Sequence, residues 1–533
     1  MNTLILHNGP IYTLDPQQPV VRALAIRNGQ VFALGSEGKV QAAAATQHAE
    51  TINLHGRAVV PGLTDAHVHL TLHGLAARTV RLNEARSLDQ ALALIVKRVA
   101  TLPADAWLEG GGWNHADWGG TWPTRDDLDR VCPNHPAILL RRDGHSAWVN
   151  SKALERAGIT DTTADPPGGW IQRDQAGRAT GILQEQASAL VANLLKPPTP
   201  AERQSALTDA LKEALSYGLT SLHIPATMEP TDGRATCSDL QVLRERGELP
   251  ARCLFYLSSS DLDAAIALGL RSGFGDHWIR FGGVKLFADG ALGSETAEMF
   301  APYAGSTSMG LATIDFDELN SMFERANRAG IALAVHAIGD AANRKVLDAI
   351  ELADAYTHLP LRNRIEHAQI LHADDISRFA KLNVVASMQP IHATSDMATA
   401  DRLLGERCAT AYAWRSLLKA GALLAFGSDA PVESLNPWLG IHAAVTRQRP
   451  TGEPQGGWYA SQRLTLEEAL HGFIVGPASA SGEAAFKGTL APGMVADLAV
   501  LTQDPFHMPI EQLHSVTVAL TLVAGQVVYR GKE

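Results

Sequence analysis

Six side chains in this sequence have the chemistry and spacing of metal ligands. His67 and His69 stand two apart in TDAHVHL (64–70), and Lys285 interrupts the apolar run IRFGGVKLF (279–287). His336 lies in IALAVHA (331–337), His367 in RIEHAQI (364–370) and Asp429 in ALLAFGSDA (422–430). Imidazole and carboxylate suit zinc, manganese, iron or nickel, with zinc the usual hydrolytic ion. Each residue also has a plainer use. A strand-end histidine often only forms hydrogen bonds, and Asp429 in GSDAP has the form of a cap for the next segment.

What matters is where the surrounding elements bring them. Those stretches read as strands, and LTSLHI (219–224), ARCLFYL (251–257) and VVASMQP (384–390) complete a set of eight. The helical segments SALTDALKEALSYG, FDELNSMFERANRAG, DAANRKVLDAIELADAY and CATAYAWRSLLKAG precede four of them, and Gly closes three of these helices, as a C-terminal cap should. Strands alternating with helices predict a parallel sheet, and eight such units predict a (β/α)8 TIM barrel, an α/β fold. His67 and His69 then share one face, because side chains alternate along a strand. All six candidates fall at or near the C-terminal ends of strands one, four, five, six and eight. In a barrel those ends converge on one mouth, which makes a metal site the economical explanation.

Lys285 is the odd member. A charge inside a doubly covered strand is costly unless paired. Burial depresses a lysine's pKa, and a neutral amine can add carbon dioxide to form a carbamate, an anionic ligand able to bridge two metals. The alternative is an unmodified Lys285 that pairs with Asp289 or touches substrate.

Composition narrows the classes. With a net charge of −11 and no Lys/Arg-rich block, a nucleic-acid surface is a poor fit. No run reaches the roughly 18 apolar residues of a membrane span, and MNTLILHNGP lacks the basic start of a secretory signal. The four cysteines are far apart with no CxxC, as in a reduced, cytoplasmic protein.

Both chain ends carry short apolar strands broken at Asn-Gly or Ala-Gly, a hairpin pattern. Residues 1–60 and 486–533 therefore read as one small β-sandwich domain, and 61–71 with 200–485 as the barrel. Between the first two barrel strands, residues 72–199 read as an insertion, a lid or substrate subdomain holding six of the ten tryptophans. Those tryptophans either meet an apolar substrate or fill the insertion's own core.

In order, PGLTDAHVHL, VKLFADGALGS, AVHAIGD, RIEHAQ and FGSDAPV resemble the metal-dependent amidohydrolase superfamily. The resemblance covers essentially the whole chain, including KGTLAPGMVADLAVL. GGWNHADW, RRDGHSAWVNSKAL and PPGGWIQRDQAGRATGIL are similar to its YtcJ-like branch, which includes the N-substituted formamide deformylases. It implies that His67, His69 and Asp429 bind the more buried metal, carboxylated Lys285 bridges, and His336 and His367 hold a second. One or two divalent ions, most simply zinc, with carbon dioxide as the lysine carbamate, are the implied cofactors. A homodimer is implied by the family alone. Where relatives read GSRTA, this chain has GSETA, which puts Glu295 in place of a basic residue and weakens any expectation of an anionic substrate.

The site predicts a hydrolase of non-peptide C–N bonds in a small amide or formamide. A metal brings a bound water's pKa towards about 7, giving hydroxide for attack. Asp429 exchanges the protons, with His336 as the second catalytic candidate, and His145 is a candidate donor to the oxyanion. Trp113, His145, Asp289 and His392 are candidates for substrate contact. The same scaffold also supports deamination and ester, lactone or phosphotriester hydrolysis or decarboxylation. A non-catalytic binding protein fits poorly, since all six ligand positions are filled by competent residues.

Overall fold

The computed structural model describes residues 3–531 except 45–48, 84, 142–145, 168, 228–231 and 355–358. Its contacts divide the chain into one unit of Met1–Thr71 with Leu207–Glu533 and another of Leu72–Ala206. Among the described residues no helix is long and apolar enough to cross a membrane.

The first unit holds eight parallel strands paired in chain order. They are β1 (Leu63–Asp65), β2 (Leu219–Ile224), β3 (Arg252–Ser258), β4 (Ile279–Phe287), β5 (Leu333–Ala337), β6 (Arg364–His367), β7 (Val385–Met388) and β8 (Leu423–Phe426). The sheet nearly closes on itself. Beyond the two outer strands, the Ala66 amide donates to Phe426 O (3.0 Å) and the Asp429 amide to His67 O (2.7 Å). Between strands and helices lies one continuous apolar core. The helix Phe316–Arg328 shows how the sequence builds this layer. Leu319, Met322, Phe323 and Ala326 are buried at helical spacing, and the Asp315 side chain caps its start by accepting from the Glu318 amide. Its chain reverses at Gly330, whose φ of 76° suits a residue without a Cβ.

β1 and β8 stop earlier than their apolar runs, so His67, His69 and Asp429 lie on turns just past the strands, where the sequence placed them on the strands. A side chain takes over from the ladder there. Asp65 Oδ1 accepts from the amides of His67 and Ser428, both at 3.0 Å, and its Oδ2 accepts from Ser428 Oγ at 2.5 Å. The Asp65 carboxylate thereby joins the two strand ends that carry the candidates His67, His69 and Asp429.

A bulge explains Lys285. Phe255 on β3 pairs with Phe281, but the next residue, Tyr256, pairs with Gly283, leaving Gly282 as an extra residue in β4. A Cβ on Gly282 would lie 2.5 Å from the Tyr256 ring, and Gly283 has φ 151° with Ala332 O only 2.0 Å from its Cβ position. The extra residue inverts the alternation. Phe281, Val284 and Leu286 all enter the core beneath the helices, while Lys285 turns to the opposite, axial face, 2% exposed. Bulges commonly re-aim a side chain beside a site.

The chain ends form one sheet, not two packed ones. Thr3–Tyr12, Val20–Arg27, Gln30–Gly35, Ala49–Asn53, Val59–Pro61, Leu498–Leu501, Val518–Val523 and Gln526–Arg530 join in a single eight-stranded network. Ala499 pairs with Val60, linking the two ends. The sheet curls until its two hairpin turns flank Ala496, whose amide donates to Gly29 O at 2.8 Å and whose carbonyl accepts from the Gly525 amide at 2.9 Å. That curl places Leu24 and Ile26 in one cluster with Leu498 and Leu522. The hairpins at the two chain ends, read from the sequence as a sandwich, are thus parts of one curled sheet.

The second unit is built on six strands, Val80–Arg81, Leu108–Trp113, Ala137–Arg141, Ser146–Val149, Gly169–Arg173 and Ala179–Glu185. Trp113, Trp118, Trp122 and Trp148 pack together in its core, whereas Trp170 is 59% exposed.

Candidate metal centre

His67, His367 and Asp429, all buried, each offer one ligand atom within 4.8 Å of the others. His69 Nε2 stands 3.2 Å from Asp429 Oδ1, and His67 Nε2 stands 3.5 Å from the same oxygen. The His336 ring lies 4.6 Å from that of His367, centroid to centroid. Lys285 Nζ sits 4.9 Å from the centre of the Phe287 ring, and its charge bears on His67, His336 and His367. The six sequence candidates are thus neighbours, with three of them in a tight group.

Hydrogen bonds on the far side of each ring select the nitrogen it offers. His67 Nδ1 lies 2.5 Å from Glu366 Oε2, His69 Nδ1 3.2 Å from Pro225 O and His367 Nδ1 2.8 Å from Gln389 Oε1. His336 instead places Nε2 2.9 Å from Gly290 O. If each N–H donates to these oxygens, Nε2 of three rings and Nδ1 of His336 keep their lone pairs. His67 Nε2 is buried without a hydrogen-bond partner, which costs free energy unless a cation takes it. Nitrogen and carboxylate donors converging on that atom fit a divalent metal of the zinc kind.

The electrostatics agree. Burial, helped by Lys285, lowers the His67 pKa to about 4 and that of His336 to about 3. Burial and the neighbouring His336 hold His367 well below the usual range. All three are therefore neutral at pH 7, as metal ligands must be. Burial opposes the charge of Asp429, but its contact with His69 draws its pKa well down, and His67 and His367 would add to this only if protonated, so it stays ionised. His367 and Asp429 also hold φ of 72° and 59°. Such left-handed backbone on non-glycine residues costs about 1–3 kcal/mol each and clusters at functional sites.

Beneath the ligands a buried guanidinium ties the barrel together. Arg364 donates to both carboxylate oxygens of Glu366, to Ala66 O (2.6 Å), to Ser387 Oγ (2.6 Å) and to Tyr256 Oη (3.2 Å), and lies 3.2 Å from His223 Nδ1. Although burial resists ionisation of Glu366, Arg364 and then His67 hold it well below the usual carboxylate range. The sequence argument missed Arg364, Glu366, Asp65 and Gln389. RIEH carried a usable signal, since two charges two apart in a covered strand raise the same question as Lys285.

The substrate candidates divide. His392, 8% exposed, puts Nε2 3.7 Å from Asp429 Oδ2, beside the ligands. Asp289 is occupied, since its carboxylate accepts from the amides of Glu298 (2.9 Å), Ile338 (3.0 Å) and Gly339 (2.8 Å). Burial raises its pKa to about 7 against those three donors. It holds the loop after β4 to the loop after β5, and its Oδ1 is 3.6 Å from His336 Nε2. Trp113 has no exposed surface, and its indole donates to Leu139 O at 2.7 Å. The structure places it in the insertion's own core, where large apolar side chains stack, rather than at a substrate-facing surface. Trp113→Ala should cost about 3–5 kcal/mol of the insertion's stability, read as a lowered melting transition. His145 lies outside the described residues.

A family model described as the amidohydrolase family matches residues 50–529. The Bacillus subtilis (strain 168) protein named amidohydrolase YtcJ is 34% identical over 531 residues, covering 98% of this chain and 99% of that one. The N-substituted formamide deformylase of Arthrobacter pascens is 28% identical over 551 residues, covering 99% and 98%. Among solved structures, a metal-dependent hydrolase from Pyrococcus horikoshii OT3 aligns with a TM-score of 0.78 at 29% identity, covering 95% of this chain and 99% of that one. The family match spans residues 50–529, within which all six candidate positions fall, and the chain belongs to the metal-dependent amidohydrolase family, in its YtcJ-like branch.

Proposed function

We propose that this hydrolase cleaves a non-peptide C–N bond in a small amide or formamide. The observation that carries the reading is the buried, unpartnered His67 Nε2 facing His367 and an ionised Asp429. It is supported by the name of the Arthrobacter pascens relative, since deformylation of an N-substituted formamide is cleavage of this type.

A divalent ion, zinc by choice of donors, supplies Lewis acidity and a lowered water pKa when bound. His67, His69 and Asp429 would hold one ion and His336 and His367 a second, with Lys285 between them. Asp429 takes a proton from the attacking water and returns it to the departing amine, which leaves neutral. Water adds to the carbonyl carbon, the C–N bond breaks, and the products are a carboxylic acid and an amine.

Lys285 serves this arrangement best as a carbamate. The ammonium first gives up one proton; the neutral nitrogen then bonds to the carbon of carbon dioxide and releases a second, which turns a cation into an anion among the candidate ligands. Buried as it is, with a pKa lowered to about 8, the amine is far easier to deprotonate than a free lysine. Two results are expected. Protein equilibrated with 13C-labelled bicarbonate shows a carbamate carbon resonance that Lys285→Ala lacks, and that variant loses at least 100-fold in kcat. Absence of the resonance from active protein contradicts the carbamate.

The reaction class is tested by screening zinc- or manganese-loaded protein with bicarbonate on N-formyl, N-acetyl, carbamoyl and cyclic amides for released amine. Turnover confined to esters or lactones, or release of ammonia from a ring amine, would replace this reading with another reaction on the same scaffold.

A further inference from the structure

The turn after β7 carries two nitrogens that the metal centre does not use. Gln389 is 2% exposed, and while its Oε1 faces His367 Nδ1, its Nε2 is buried without a hydrogen-bond partner. Three residues on, in the first turn of the helix Pro390–Leu404, His392 Nε2 is likewise buried and unpartnered. The His392 ring lies 5.9 Å from that of His367 and 18° from parallel to it, and its Nε2 is 3.7 Å from Asp429 Oδ2, too far for a hydrogen bond. Polar atoms left buried and unsatisfied are rare and call for an explanation, of which a bound group is one.

The surroundings limit what that group is. Gln389 Nε2 can only donate, so its partner is an acceptor. Asp429 Oδ2 is 3.7 Å from His392 Nε2, and Asp396 stands one turn on from His392 in the same helix, so an anionic group held here would meet carboxylates. An uncharged carbonyl oxygen satisfies both conditions. The helix that presents His392 is also held in place by its neighbours. Tyr412 Oη donates to Asp396 (2.7 Å), Trp458 Nε1 to Asp401 (2.9 Å) and Arg449 Nε to Thr394 O (3.2 Å).

We propose that the Gln389–His392 turn is the carbonyl-holding subsite of the centre: the Gln389 side-chain N–H2 and His392 Nε2 take the oxygen of an uncharged amide, and the nearby carboxylates turn away anionic substrates. The proposal rests on the hydrolase reading above, extends it to the charge of the substrate, and gives Gln389 two duties. Its oxygen orients His367, and its nitrogen binds substrate.

Gln389→Glu separates those duties, since it keeps an oxygen for His367 Nδ1–H and removes the N–H2. N-Methylacetamide, an uncharged amide that does not chelate zinc, serves as probe by calorimetry on the zinc-loaded full chain, so the outcome does not depend on turnover. Gln389→Glu and His392→Phe should each weaken its binding 10-fold or more with zinc content unchanged. In turnover, 4-nitroacetanilide and 4-nitrophenyl acetate should both lose 10–100-fold in kcat/KM, and the anionic N-(4-nitrophenyl)succinamic acid should be at least 10-fold poorer than 4-nitroacetanilide for the unaltered protein. Equal probe binding by both variants overturns the subsite. Loss of zinc from Gln389→Glu reduces Gln389 to a positioning residue and overturns its substrate role, and preference for the succinamic acid overturns the charge argument. Ester cleavage without anilide cleavage would instead sink the C–N reading and leave the subsite to be judged on the ester.

Discussion

Asp429→Asn should lower kcat by about 10²–10⁴-fold, the range that a positioned acid–base group contributes, while the protein still folds and keeps metal. In barrier terms this is about 2.7–5.4 kcal/mol. The expectation follows from the carboxylate's surroundings. Burial opposes the charge of Asp429, only 7% exposed, but the contact with His69 draws its pKa well down, and His69 Nε2, at 3.2 Å, leaves the second oxygen facing His392. Asparagine keeps the shape and an oxygen donor but can neither take nor return a proton. Turnover at the normal rate in the asparagine variant, with metal content matched, would remove Asp429 from the proton exchange.

Glu366→Gln should do damage of two kinds. The first is to the barrel. Arg364 would remain inside it without its counter-charge, and breaking a buried pair from one side costs about 3–5 kcal/mol. The second is to the metal. Glu366 fixes the tautomer of His67 from 2.5 Å, and loss of such a partner lowers metal affinity by about 10–100-fold. The two effects separate in the double variant Arg364→Met with Glu366→Leu. Removing both charges should recover much of the melting temperature, because apolar replacements of buried pairs are often neutral or better. Metal affinity should stay low, because leucine offers His67 Nδ1 no acceptor at all. Normal zinc affinity in the double variant would mean that Glu366 serves stability alone.

Much of this centre was legible in the sequence for a simple reason. Histidine, lysine and aspartate are expensive inside covered strands, so each left a visible break in an apolar run. Apolar runs set between helical segments also found the strands, and β2 and β4 agree with the expected spans residue for residue. What stayed hidden is whatever alternation cannot express. The bulge at Gly282 reverses the phase of β4, so plain alternation would set Lys285 on the face of Phe281, among the helices. The Asp65 carboxylate ends β1 and β8 by replacing backbone partners, a three-dimensional substitution with no local signature. The curl of the terminal sheet makes one sheet look like two. Trp113 shows the opposite error, because an aromatic residue in an insertion signals a core as readily as a pocket, and the six-stranded insertion has a core to fill.

The central claim is that the buried cluster around His67 is a metal centre and that this centre drives hydrolysis of a C–N bond. The most direct measurement strips the protein with a chelator and titrates zinc back in the presence of bicarbonate, following metal bound per chain and amine released from the best amide of the screen. The account expects amine release to rise in step with bound zinc and the melting temperature to rise with it, since a ligand of the folded state stabilises it. In His67→Asn both should fail together. Amine release that survives stripping, or full zinc uptake by His67→Asn, would contradict it.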